Sequence, residues 1–212
     1  MRNLTILLIM LVAIGSCSNE VPKEQLEYRD GFFYEVNSQT PFNGSAVGYH
    51  DNGQLKSKGN YKDGKKHGLR EVYHENGGLY LKLNFKDGMK HGLTEEYFKI
   101  GTLKYTNYHK DGKENGLFKR YYSNGQLMDS SNYKDGEKHG LEEVYNRNGR
   151  LEYKGNFKDG KNHGLREEYH ENGGLYVKQN FKDGKKHGLE EVYNRNGRLK
   201  RSTNYRDGEL ID

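Results

Sequence analysis

The dipeptide Asp-Gly recurs at 63–64, 87–88, 111–112, 135–136, 159–160, 183–184 and 207–208, always 24 residues apart. The seven residues KDGKKHG at 62–68 return intact at 182–188, five periods later. A catalytic motif is seldom duplicated whole, whereas a structural unit is, and a fixed period in this range marks an array of supersecondary units. No other feature restricts the fold of residues 44–208 as much.

Residues 68–91, GLREVYHENGGLYLKLNFKDGMKH, make one unit with two turn signals, Asn76-Gly77 and Asp87-Gly88. Both dipeptides suit two-residue hairpin loops, whose central residues need positive φ. The turns alternate at 11 and 13 residues, which leaves strands of roughly 7–10 residues. Glycine interrupts every half-unit, and no apolar pattern is long enough for a helix.

Large apolar side chains keep the same period. Tyrosine stands at 49, 73, 97, 121, 145, 169 and 193; leucine at 55, 79, 103, 127, 151, 175 and 199. Named singly, the rungs are Tyr49, Tyr73, Tyr97, Tyr121, Tyr145, Tyr169 and Tyr193 with Leu55, Leu79, Leu103, Leu127, Leu151, Leu175 and Leu199. An aromatic occupies 61, 85, 133, 157, 181 and 205, with His109 as the departure, and a second leucine follows most His-Gly pairs. Leu69 and Tyr73, or Leu79 and Phe85, are separated by even numbers, which predicts one shared face. Arg70, Val72, Lys82 and Asn84 would then form a largely polar opposite face. The expectation is an all-β fold: an elongated, single-layer antiparallel meander of tandem 24-residue hairpins with one aromatic and aliphatic ladder. The glycine of each His-Gly pair, as at Gly68, predicts a bulge or room for a neighbouring ring. The third unit, with Ile100-Gly101, Tyr108-His109 and Asn115, predicts a local irregularity. Residues 28–43 read as an irregular capping hairpin, with an apolar strand from Phe32 to Val36 and then Pro41-Phe42; 209–212 is a short tail.

The unit G-L-x-E-x-Y-x-x-N-G-x-L-x-x-K-x-N-Y-K-D-G-K-x-H resembles the bacterial variant of the MORN repeat (membrane occupation and recognition nexus), over residues 44–208. That resemblance implies an extended β-meander without chemistry of its own, serving as a scaffold or interaction surface. Some proteins of this kind are described as antitoxin-like.

The chain opens MRNLTILLIMLVAIGSCSNE: Arg2, an apolar run, then small residues before Cys17. The run is too short to span a bilayer and reads as a signal peptide over 1–16. Ile-Gly-Ser-Cys resembles the lipobox of bacterial lipoproteins, which implies acyl chains on Cys17, followed by a polar tether over 17–27. Cys17 is the single cysteine, so no internal disulfide competes for it. Ser18, rather than Asp, leans toward the outer membrane in a Gram-negative cell. Mean hydropathy is −1.16, yet 18 Tyr and 8 Phe in strict period argue against disorder. A net charge of +5, from 35 basic and 30 acidic residues, is too balanced for a nucleic-acid binder.

Chemical sites are scarce. His67, His91, His139, His163 and His187 form a series, but equivalent side chains two strands apart lie about 10 Å from one another, too far to share a zinc ion. Glu-Glu pairs at 95–96, 142–143, 167–168 and 190–191 point to opposite faces and cannot flank one bond. No catalytic residue, metal site or cofactor is expected. Lys62, Lys65, Lys66, Lys86, Lys90, Lys182, Lys185 and Lys186 flank the Asp-Gly turns and predict a basic edge suited to a polyanion such as lipid headgroups or an acidic glycan. Charged turns equally keep a ribbon soluble and blunt its edges. The functional expectation is a lipid-anchored, non-enzymatic repeat protein of the cell envelope, offering a long β-surface to a protein or anionic envelope polymer. An antitoxin or immunity role and an architectural envelope role are the alternatives.

Overall fold

In the computed structural model, which describes residues 20–211, every Asp-Gly pair of the array has positive φ at both residues, as at Asp63 (49°) and Gly64 (71°). Two successive left-handed residues define the type I′ hairpin turn, whose twist matches that of its strands. The Asn-Gly turns differ from expectation. Only their glycine is left-handed. Gly77 N–H donates to His74 O (2.9 Å) and His74 N–H to Gly78 O (2.8 Å), a three-residue loop closed by a glycine bulge. Ile100-Gly101 builds the same loop, with Gly101 N–H on Phe98 O (2.8 Å), because the residue before the glycine needs no positive φ.

Between these turns the chain forms the expected open meander. Strands β1 (Glu20–Pro22), β2 (Leu26–Arg29), β3 (Phe32–Glu35), β4 (Gly44–Tyr49), β5 (Leu55–Lys62), β6 (Lys65–Tyr73), β7 (Leu79–Lys86), β8 (Met89–Tyr97) and β9 (Leu103–Lys110) come first. The third unit is broken into β10 (Lys113–Glu114) and β11 (Gly116–Tyr121), both on β9. Regular strands then run from Leu127–Lys134 to Leu199–Arg206, and Glu209–Ile211 ends the sheet. All but β2 and β3 belong to one 17-stranded sheet, antiparallel except where β1 joins β4.

Two bulges per unit set the faces. Gly68 (φ 79°) lies where the β5–β6 register shifts between Gly59 and Tyr61. In four units the asparagine opposite that bulge donates its side-chain amide to a bulge carbonyl, from Asn60 to Leu69 (2.9 Å) through Asn156 to Leu165 (3.2 Å). The glycine therefore serves a bulge. At the other end Val72 pairs with Leu81 but Tyr73 with Leu79, leaving Tyr80 unpaired. That extra residue reverses the parity of Leu79 relative to Phe85. The single ladder is thus corrected to two. Tyr73 and Leu79 share a face with Leu69 and Glu71, Tyr73 Oη donating to Glu71 Oε2 (3.1 Å). Arg70, Val72, Leu81, Leu83 and Phe85 occupy the opposite face, whereas Lys82 and Asn84, assigned there from sequence, lie on the tyrosine–leucine face.

Both ends of each hairpin are stitched to the neighbouring unit. Every Asp-Gly glycine from Gly88 to Gly208 donates its N–H across to the preceding unit, as Gly88 to Lys66 O (2.9 Å). On the other edge Asn52 and Asn172 donate to Glu75 O (2.8 Å) and Arg195 O (2.9 Å).

The amino-terminal cap departs from the sequence reading. Its hairpin is β2–β3, turned by Asp30-Gly31 with φ 48° and 89°. Within the stretch expected as tether, Glu20–Pro22 form a strand parallel to β4 and Lys23–Gln25 a 3-10 turn that leads into β2. Val21, Phe42 and Ala46 form the one apolar core cluster among the described residues, with Leu26 and Tyr61 against it.

Candidate interaction surface

A single-layer sheet has two surfaces and two rows of turns, and each candidate residue falls on one of these. All seven tyrosine–leucine rungs are register partners: Tyr49 with Leu55, Tyr73 with Leu79, Tyr97 with Leu103, Tyr121 with Leu127, Tyr145 with Leu151, Tyr169 with Leu175 and Tyr193 with Leu199. None is fully buried; Tyr49 is 54% exposed and Leu199 48%. Beside the rungs runs a row of alternating charge: Lys58, Glu71, Lys82 and Glu95 are successive partners, and Glu143, Lys154, Glu167, Lys178 and Glu191 repeat the pattern. Opposite charges facing across strands stabilise a sheet by a few tenths of a kcal/mol per pair. Burial, and then the Glu71 carboxylate, push the Tyr73 phenol up; Tyr145 and Tyr169 repeat this with Glu143 and Glu167.

The opposite face carries the buried positions of the array, and these are mostly polar: Thr94, Glu96, Asn107, Asp129, Ser131, Gln179 and Glu190. Each buried carboxylate has a partner. Glu96 takes Lys104 (2.6 Å), Asp129 takes Arg120 (2.6 Å), and Glu190 takes Lys186 and Arg201. Cations lie over the aromatic row, Arg166 over both Tyr153 (5.2 Å) and Phe181 (5.8 Å). Burial, then Glu96, push the Tyr105 phenol up to about 12. In the third unit burial, then Lys90, push His109 down. The Glu-Glu pairs divide as their alternation requires: Glu143 pairs with Lys154 on one face and Glu142 with Lys138 on the other.

At the Asp-Gly edge the lysines separate. Lys62, Lys65, Lys86, Lys90, Lys182 and Lys185 are exposed, Lys62 pairing in register with Lys65 and Lys182 with Lys185. Lys66 and Lys186, assigned to that edge from sequence, instead lie half-buried on the polar face, over Phe85 (5.4 Å) and Tyr205 (4.9 Å). The edge is narrower than the sequence implies. The histidine series lies here too, each linked to the aspartate of the next turn, as His67 to Asp87 (3.4 Å) and His163 to Asp183 (3.3 Å). The recurring His and Asp types 20 residues apart were the available signal for these bonds. Among the described residues no group of His, Cys, Asp and Glu gathers to hold a metal ion. Cys17 lies outside the described residues.

Six segments, 42–63, 66–87, 114–135, 138–159, 162–183 and 186–207, match the family model of the MORN repeat variant. The unmatched interval between 87 and 114 is the interrupted third unit. No curated protein matches the chain.

Proposed function

The chain belongs to the MORN repeat variant family, and from that premise we propose that it is a non-enzymatic binding ribbon, held to a bilayer through Cys17. The observation that carries this reading is the row of tyrosine–leucine rungs along seven units, partly buried and open to solvent on its outer side, interleaved with alternating charge. A repeated amphipathic strip of this kind offers a partner apolar anchors and a polar frame at once. Contact is spread over several units, each adding a similar increment. The short apolar run before Cys17 supports acylation there, and two or more chains make such an anchor firm. The cell envelope, at the outer membrane in a Gram-negative cell, follows as the location.

A photo-crosslinking amino acid placed at Leu117 or Leu189, which are 37% and 44% exposed, tests the binding reading. The same partner is expected at both sites, and its capture is expected to fall when the other site carries Leu→Glu. Capture unchanged by both substitutions overturns the reading. Palmitate labelling that survives Cys17→Ala overturns the anchor.

A further inference from the structure

The polar face repeats one local device, and one copy of it lacks the charge that completes it. Lys138 lies over the Phe157 ring (5.2 Å) and pairs with Glu142; Lys186 lies over Tyr205 (4.9 Å) and pairs with Glu190. Lys66 occupies the same place, over Phe85 (5.4 Å) and Phe33 (5.9 Å). Four residues on, however, stands Arg70 in place of glutamate. Arginine recurs at this position as Arg166, where Glu168 neutralises it at 2.5 Å, but the residue two after Arg70 is Val72. Lys138, Lys186 and Arg166 each have their own carboxylate, and neither Lys66 nor Arg70 has one; Lys90, with Thr94 four residues on and His109 at the ring position, departs from the device altogether. Among the described residues no Asp or Glu lies within ion-pair distance of Lys66 or Arg70. Lys23, from the turn after β1, adds a third positive charge, its stem packing beside Gly48.

Half-buried cations crowded together without a counter-charge are unfavourable, and burial, then Arg70 and Lys23, pull the Lys66 ammonium down. The floor beneath them is shallow, made by Gly48, Ser57 and Gly59, with the Arg70 stem 3.4 Å from where a Cβ on Gly59 would stand. Beside Lys66 opens a cavity of about 500 Å³ lined by Tyr28, Phe33, Lys65 and Met89, together with Asp87, whose carboxylate lies 3.4 Å from His67 Nδ1. Elsewhere this chain completes the lysine-over-ring device with a glutamate. We infer that Lys66 and Arg70, with Lys23 beside them, receive the carboxylates of an acidic segment of a partner protein. The inference deepens the binding-ribbon reading and rests on it: apolar side chains next to those carboxylates would enter the Tyr28–Phe33 cavity.

The test is fluorescence anisotropy of the full chain with a labelled decapeptide of alternating Glu and Leu, a Gln-for-Glu version, and inorganic phosphate as competitor. The Glu peptide is expected to bind, and Arg70→Glu, which supplies the carboxylate internally, to weaken it about tenfold, the loss of one charge-assisted contact. Lys99→Glu makes the same change in net charge on an exposed loop and is expected to leave binding within about twofold. Glu142→Arg is expected to open a second site and raise the stoichiometry. Thermal melting of Arg70→Glu no lower than that of the parent shows that its loss of binding is not unfolding. Equal loss with Lys99→Glu, equal binding of the Gln peptide, or no binding of the Glu peptide overturns the inference. Phosphate that binds where the peptide does not overturns it in favour of a phosphate site. If the peptide fails while crosslinks at Leu117 and Leu189 persist, the ribbon reading stands and this inference alone falls.

Discussion

At the amino-terminal end of the ribbon Val21, Phe42, Ala46 and Val47 are withdrawn from water, whereas beyond Leu83 every buried side chain of the described array is polar or charged. The cap is held as a small globular domain is, by apolar burial. The array has no second layer to bury anything against. Ion pairs answer its buried carboxylates, while among the described residues Asn107 Oδ1 and Gln179 Oε1 stay buried without a hydrogen-bond partner, and turns lock its register. The contrast teaches that a one-layer sheet is stable because its backbone geometry is narrowly specified, and that it needs one conventional core to close its first edge.

Phe42→Ala strikes the conventional core and is expected to cost most, about 3–5 kcal/mol, since Phe42 is 3% exposed and packs on Tyr61 at 5.6 Å. Chemical denaturation measures it, and amide exchange in β4 and β5 should rise well before exchange at 185–206. Gly188→Ala attacks backbone geometry instead. A Cβ there meets nothing nearer than Asn180 at 4.0 Å, so the expected loss, about 1–2 kcal/mol, comes from φ of 87° alone. A neutral outcome in the denaturation midpoint would show that the bulge tolerates a side chain.

Two smaller changes probe the third unit. His109 titrates below its ordinary value in the folded chain, so the unfolded chain binds more protons between the two values. Stability is therefore expected to fall as pH drops from the ordinary histidine range through the lowered one. In His109→Phe, which restores the ring found in the other units, melting temperature should depend less steeply on pH over that window. An unchanged slope would sink the assignment. The smallest effect is expected from Ile100→Asn. Ile100 is 72% exposed, while Asn76 at the same place accepts the Gly78 N–H (3.1 Å); a gain of about 0.5 kcal/mol in thermal melts is expected.

The period, the Asp-Gly turns, the meander and the weak third unit were legible because each is written as residue types at fixed spacing. The faces were not. Alternation assigns Leu79 to the side of Phe85, and only the unpaired Tyr80 between them reverses it; a bulge adds a residue without adding a distinctive letter. The Asp30-Gly31 turn escaped because it stands outside the 24-residue register, 33 residues before Asp63. Glu20–Pro22 escaped because three residues among polar neighbours carry no periodic signal, and their place is fixed by β4. The candidate surface was legible as composition, tyrosine with leucine and lysine with glutamate. Which lysines turn inward over rings depended on the same bulges.

Because each Asp-Gly glycine reaches only to the hairpin before it, no joint in the array depends on how many joints follow. Whole 24-residue blocks could be added or deleted between the cap and the far edge without recutting any seam. Reach then becomes a heritable length set by copy number, adjustable in steps of two strands, about 10 Å each, while the chemistry of every rung stays the same.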